Sequence, residues 1–250
     1  MVKIVLTPQW FLANDVLIEA FTFLVLLIFA FLAFRYYRMS KNKNILHLGT
    51  GFGFILLAEF AALVTKLVLF YDIGPSRIIG QALINTQIVS SVDIFYYLGF
   101  FFYRLFTLLG LYIIYRLPQD KKNSAGDYGL MLYFIVISAL LGDELFYIFH
   151  ITALILLVLI VDSYYRIYKK NKFVNTKILL IAFSTLALSQ MICILSTINL
   201  MYVIGDVVEL ISYIIFLGLI IRILVHGKEK EQDEHNIGHV GDNARKRRKH

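Results

Sequence analysis

Residues Asp93–Arg116 read DIFYYLGFFFYRLFTLLGLYIIYR. The stretch is long and apolar enough to cross a bilayer, whose hydrocarbon core needs about 20 apolar residues in a helix. Arg104 stands at its middle, as far from water as a residue on that helix can be. A charge at that depth is costly and ordinarily faces a bundle interior with a partner. The stretch therefore predicts an inner helix of a bundle, and the neighbouring helices must supply what Arg104 needs.

Composition carries the same message outward. The 250 residues are 59% hydrophobic and only 16% charged, with mean hydropathy +0.74. Soluble domains carry about 25% charged residues, so a soluble core is a poor description. Long apolar runs recur along the chain and read as transmembrane helices. The three prolines, Pro8, Pro75 and Pro118, fall in expected loops, so the helices should lack proline kinks. One cysteine, Cys193, excludes an internal disulfide, a cysteine zinc site and a CxxC motif, and suits a small residue between helices. The net charge of +7 is better explained by orientation in a membrane than by nucleic acid.

The expected fold is an all-α integral membrane protein, a seven-transmembrane-helix bundle over residues 1–225. Its helices lie at about 14–34, 45–70, 93–115, 128–142, 145–165, 178–199 and 201–225, followed by a disordered basic tail at 226–250. Residues 1–13 lack a small-residue cleavage site, and the first apolar run ends in the stop-transfer pattern RYYR, so no signal peptide is read. The segment 128–165 flanks one break, Gly142-Asp143-Glu144, and basic loops bound it on both sides. It should therefore cross twice, as a hairpin. Seven crossings put the N-terminus outside and the C-terminus in the cytoplasm. All Lys and Arg except Lys3, Lys66, Arg77 and Arg104 then fall on the cytoplasmic side, as the positive-inside rule requires. The expected location is the cell membrane.

The chain also carries signs of an internal repeat. Tyr36-Tyr37-Arg38-x-x-Lys41 closes the first helix and Tyr164-Tyr165-Arg166-x-x-Lys169 the fifth. Leu109–Arg116, LGLYIIYR, resembles Leu217–Arg222, LGLIIR. These matches give a 3+1+3 plan with two parallel repeats, which with the N-terminus outside resembles the SWEET-type seven-helix sugar transporters in plan only. The prolines that those proteins carry within helices are missing here. A retinal Schiff base of the microbial rhodopsin kind is excluded, because 201–225 holds no lysine. Zinc hydrolases of the ceramidase type use several intramembrane histidines, whereas only His150 lies well inside a helix. No haem or zinc ligand set is read, and no cofactor is expected.

The polar residues inside the helices are the candidate site. Glu59 and Arg104 fall at the same depth on consecutive helices, which predicts an ion pair at the midplane. Lys66 stands two turns beyond Glu59 on the same face. Gln190 joins Glu59 and Arg104 near the midplane, and Glu19, Lys66, His150, Asp206 and Glu209 collect in the outer half. Asp15, Asp93, Asp143 and Glu144 are read as helix-end residues at the water boundary. The expectation is an outward-facing polar cavity, closed below by Glu59 and Arg104, that binds or conducts a small polar solute, ion or proton. The alternative is a receptor-like or scaffold bundle in which that pair is purely structural. No nucleophile–base pair, phosphate loop or metal-ligand spacing points to an enzyme.

Partners are read from the ends and faces. Arg245, Lys246, Arg247, Arg248 and Lys249 should meet anionic lipid headgroups, at about 1 kcal/mol per basic residue near the surface. No folded module accompanies them to support nucleic-acid binding. Gly49 and Gly53 form a GxxxG that suits close helix packing, within the chain or in a homo-oligomer. No protein partner is indicated.

Overall fold

The structure is a computed structural model that describes the backbone of residues 12–41, 43–70, 91–119, 125–142, 145–195 and 199–247. Side chains at 12–13, 68–70, 91–96, 125–128, 130, 146, 199 and 226–247 lie outside that description. Among the described residues seven helices follow one another: α1 (Leu12–Ser40), α2 (Lys43–Phe70), α3 (Ser91–Arg116), α4 (Ala125–Leu141), α5 (Phe146–Asn171), α6 (Val174–Ile194) and α7 (Asn199–Arg247). All except α4 are long and apolar enough to cross a membrane. The protein is thus a multi-pass, membrane-embedded helical protein.

Each long helix turns one narrow stripe inward. On α2 the stripe is Leu48, Phe52, Ile55, Glu59, Ala62 and Lys66, spaced alternately four and three apart, which keeps one face of a helix in register. On α7 it is Tyr202, Asp206, Glu209, Tyr213, Phe216 and Ile220, with the same spacing. The opposite faces carry Leu17, Phe21, Phe31, Leu57, Phe60, Ile155, Val158, Ile211 and Ile214, all exposed and apolar. In water such a surface would be an aggregation hazard; against lipid it is the natural exterior.

The stripes meet because the helices close a ring. α2 packs on α1 and α3, α1 on α7, α7 on α6, α6 on α5, and α5 on α3. α4 lies against α3 and α5. Two glycines bring α2 and α3 close together: a Cβ on Gly110 would lie 2.6 Å from the carbonyl oxygen of Gly51, and one on Gly51 2.5 Å from Ile114. Only glycine admits that approach without moving backbone. Gly49 rests on the Ala33 side chain of α1, so this half of the GxxxG serves packing within the chain, while a Cβ on Gly53 would meet nothing within 4 Å. Cys193 is buried against Gly205 and fills the α6–α7 seam.

Alternating directions sort the stripes into two ends. At one end lie the start of α1, the close of α2 and the start of α7, which bring Asp15, Glu19, Lys66, Tyr202 and Asp206. At the other, Phe29, Phe52, Phe183 and Phe216 contact one another edge to face or tilted, with ring centroids 4.4–6.4 Å apart, and Tyr164 stacks on Phe183. The basic residues Arg35, Arg38, Arg116, Arg166, Lys169 and Lys172 all flank this aromatic end.

Some helix limits differ from the sequence reading. α1 and α5 continue past Phe34 and Tyr165 to Ser40 and Asn171, because their basic last turns remain helical. Each closes on a lysine in the left-handed region, Lys41 at φ 55° and Lys172 at φ 54°, whose N–H bonds back to Tyr37 and Tyr168. The backbone of α7 runs on to Arg247, where the sequence predicts a disordered tail after Val225. The lipid contacts expected of Arg245, Lys246, Arg247, Arg248 and Lys249 lie outside the described side chains, as do residues 71–90 and the acids Asp93, Asp143 and Glu144.

Candidate functional site

The acidic end is built around one lysine. Lys66 is 5% exposed. Its ammonium donates to Asp15 Oδ2 at 2.9 Å and to the Tyr202 hydroxyl at 3.1 Å, and it contacts Glu19 Oε1. An ammonium has three protons to donate, so these three partners use all of them. The partners come from α1 and α7, and α1 packs against both α2 and α7. Asp15 has 0% exposure. It is therefore an interior ligand of Lys66, which corrects its reading as a helix-end residue at the water boundary. Two turns and then four turns further along α1, Thr22 and Phe29 continue the same buried face.

A second group links α5, α6 and α7. His150 Nδ1 and Gln190 Oε1 are 2.8 Å apart. Gln190 Nε2 donates to Glu209 Oε2 at 3.2 Å, and the Tyr213 hydroxyl donates to Glu209 Oε1 at 2.8 Å. The carboxylate can only accept, so the amide turns its nitrogen to Glu209 and its oxygen to His150. Nδ1 of His150 must then carry the hydrogen. Both oxygens of Glu209 thus have a donor.

Between these groups the donors run short. Glu59 is 5% exposed, and among the described residues it accepts no hydrogen bond and forms no ion pair. Its charged neighbours are Glu209, Glu19, Lys66 and Asp206. Glu19 Oε2 and Asp206 Oδ2 are fully buried without a hydrogen bond among the described residues. The described interior therefore holds Asp15, Glu19, Glu59, Asp206 and Glu209 around Lys66, with more acceptor oxygens than protein donors.

The expected Glu59–Arg104 pair does not form. Arg104 is 8% exposed and turns toward the end of α4: a Cβ on Gly142 would lie 2.9 Å from its Cδ and 3.1 Å from its Nε. That places the guanidinium where the last carbonyls of α4 concentrate negative potential. Glu59 looks instead toward α1 and α7. The two residues share a depth but not a direction around the bundle, and spacing along a helix reports depth alone.

Of the residues singled out from sequence, Glu19, Glu59, Lys66, Asp206 and Glu209 are brought into one interior group, with Gln190 and His150 joined to it through Glu209. Arg104 stands aside. Sequence reasoning missed Asp15, Tyr202 and Tyr213. The signal for the tyrosines was present: Tyr202, Asp206, Glu209 and Tyr213 form one stripe on α7. The signal for Asp15 and Glu19 was their distance from the α1–α2 turn, which is close to that of Lys66 on the returning helix. Among the described residues no three His, Cys, Asp or Glu converge at metal-ligand distance. No family model matches this chain, and neither a curated protein nor a solved structure does.

Proposed function

We propose that the chain crosses the membrane seven times, N-terminus outside, and that its polar interior opens outward to bind or conduct a small polar solute, ion or proton. Six spans lie in the ring and α4 supplies the seventh. The basic residues that flank the aromatic end favour the cytoplasm for that end, and the acidic end then faces out. The observation that carries the reading is the shortage of donors around Glu59, Asp206 and Glu19 among the described residues. A purely structural cluster would be expected to satisfy its carboxylates, because a half-satisfied buried network is less stable than an apolar one. Oxygens left without donors inside a ring of helices suit a guest that brings positive charge or hydrogen-bond donors.

The test uses the full chain in proteoliposomes. Proton flux is followed with a trapped pH dye under a potassium-driven potential, and glycine uptake with radiolabel. One of the two should exceed that of protein-free vesicles and fall severalfold in Asp206→Asn. Background flux of both in a folded wild type would sink the proposal.

A further inference from the structure

Glu59 occupies a special place among the interior carboxylates. It lies on the same α2 stripe as Lys66 above it and Phe52 below it, and Phe52 meets Phe216 with centroids 4.7 Å apart. Glu59 is thus the last carboxylate on α2 before the aromatic end. The other described acids have donors on at least one side, or lie nearer the acidic end. Glu209 is held by Tyr213 and Gln190, and Glu19 and Asp15 by Lys66. Asp206, whose Oδ2 also lacks a donor among the described residues, stands nearly one turn closer to the acidic end than Glu209 on α7. Nine-tenths and more of Glu59 is buried, with no donor from the described residues.

Its surroundings decide which guest fits. The titratable groups that interact with it electrostatically are Glu19 from α1, Lys66 from its own helix, Tyr103 from α3, and Asp206, Glu209 and Tyr213 from α7. Arg104 of α3 turns away toward Gly142. A metal cation would need several oxygens converging at bonding distance, and the described acids do not converge in that way. A proton needs only one carboxylate.

We propose that Glu59 is a proton-exchange site: its carboxylate takes a proton from water at the acidic end and returns it there, with the aromatic end blocking passage beyond. Only the carboxyl O–H bond forms and breaks, and the proton comes from and goes to hydronium. The assignment names the guest of the outward-opening polar interior and rests on that reading for its purpose.

The experiment is infrared difference spectroscopy of the full-length protein in lipid nanodiscs, between acid and alkaline buffer. The wild type should show a pH-dependent carboxylic-acid C=O band. That band should disappear in Glu59→Gln and persist in Asp206→Asn and Glu209→Gln. Glutamate labelled at its side-chain carboxyl carbon should move the wild-type band to lower frequency, a control that needs no substitution. Absence of the band from the wild type, its survival in Glu59→Gln, or its failure to move with labelled glutamate would each overturn the assignment. Flux is read separately. A Glu59 band without wild-type flux leaves the proton site standing and removes conduction; flux without the band removes the proton site alone.

Discussion

The two ends of the ring solve the same packing problem by opposite means. At the aromatic end, Phe29, Phe52, Phe183 and Phe216 fill the interior with rings that need only close packing from their neighbours. At the acidic end, Lys66, Asp15, Glu19 and Tyr202 fill it with groups whose stability depends on one another. Truncating a buried ring forfeits its own packing and leaves a cavity. Truncating a buried charge harms its partners as well, because they stay buried without it. The same helices carry both halves, so the difference comes from side chains alone.

That contrast can be broken most directly at its two centres. Lys66→Met should destabilise the protein by about 3–5 kcal/mol, since it leaves Asp15 and Glu19 buried without their cation. Adding Asp15→Asn and Glu19→Gln should recover much of that stability in thermal unfolding. Phe216→Ala should cost a comparable amount, about 3–5 kcal/mol, yet no neutralising change elsewhere should rescue it. If the triple variant is no better than Lys66→Met, the acidic end is not an interdependent charge cluster.

A smaller effect sharpens the boundary between the halves. Gly110→Ala should cost about 1–3 kcal/mol, because its new Cβ meets the backbone oxygen of Gly51. Cysteine cross-linking between α2 and α3 should weaken with it; unchanged stability would mean that the two backbones do not touch there. The smallest effect belongs to Asp162, which pairs with Arg166 on the exposed last turns of α5. Asp162→Ala should leave the melting temperature unchanged, as exposed i,i+4 pairs are screened and mobile. A clear drop would show that charge at the aromatic end is more than a solvated fringe.

Much of the architecture could be read from sequence because lipid imposes a crude rule: long apolar runs become helices, whatever their order. The depth of each polar residue was legible for the same reason, since helical rise converts position into height. Direction around the bundle was not. Glu59 and Arg104 agree in height, and only the ring order shows that one faces α1 and α7 while the other faces α4. Asp15 was misread because proximity to a helix start resembles exposure; its neighbours on α2 and α7 enclose it, and no local pattern announces them. The length of α4 was legible, and its place against α3 and α5 was not.

The tight connection between α1 and α2 has a consequence for assembly. Lys41 turns the chain with its left-handed backbone, and α2 returns at once beside α1. At the open end of that hairpin stand Asp15, Glu19 and Lys66. A lone charge at the centre of an inserting helix raises the cost of entry by about 2.5–3.5 kcal/mol. Here two consecutive helices already hold opposite charges within reach as they leave the ribosome. The hairpin can enter the bilayer with Lys66 already paired to Asp15 and Glu19, before any of the later helices exists to receive it.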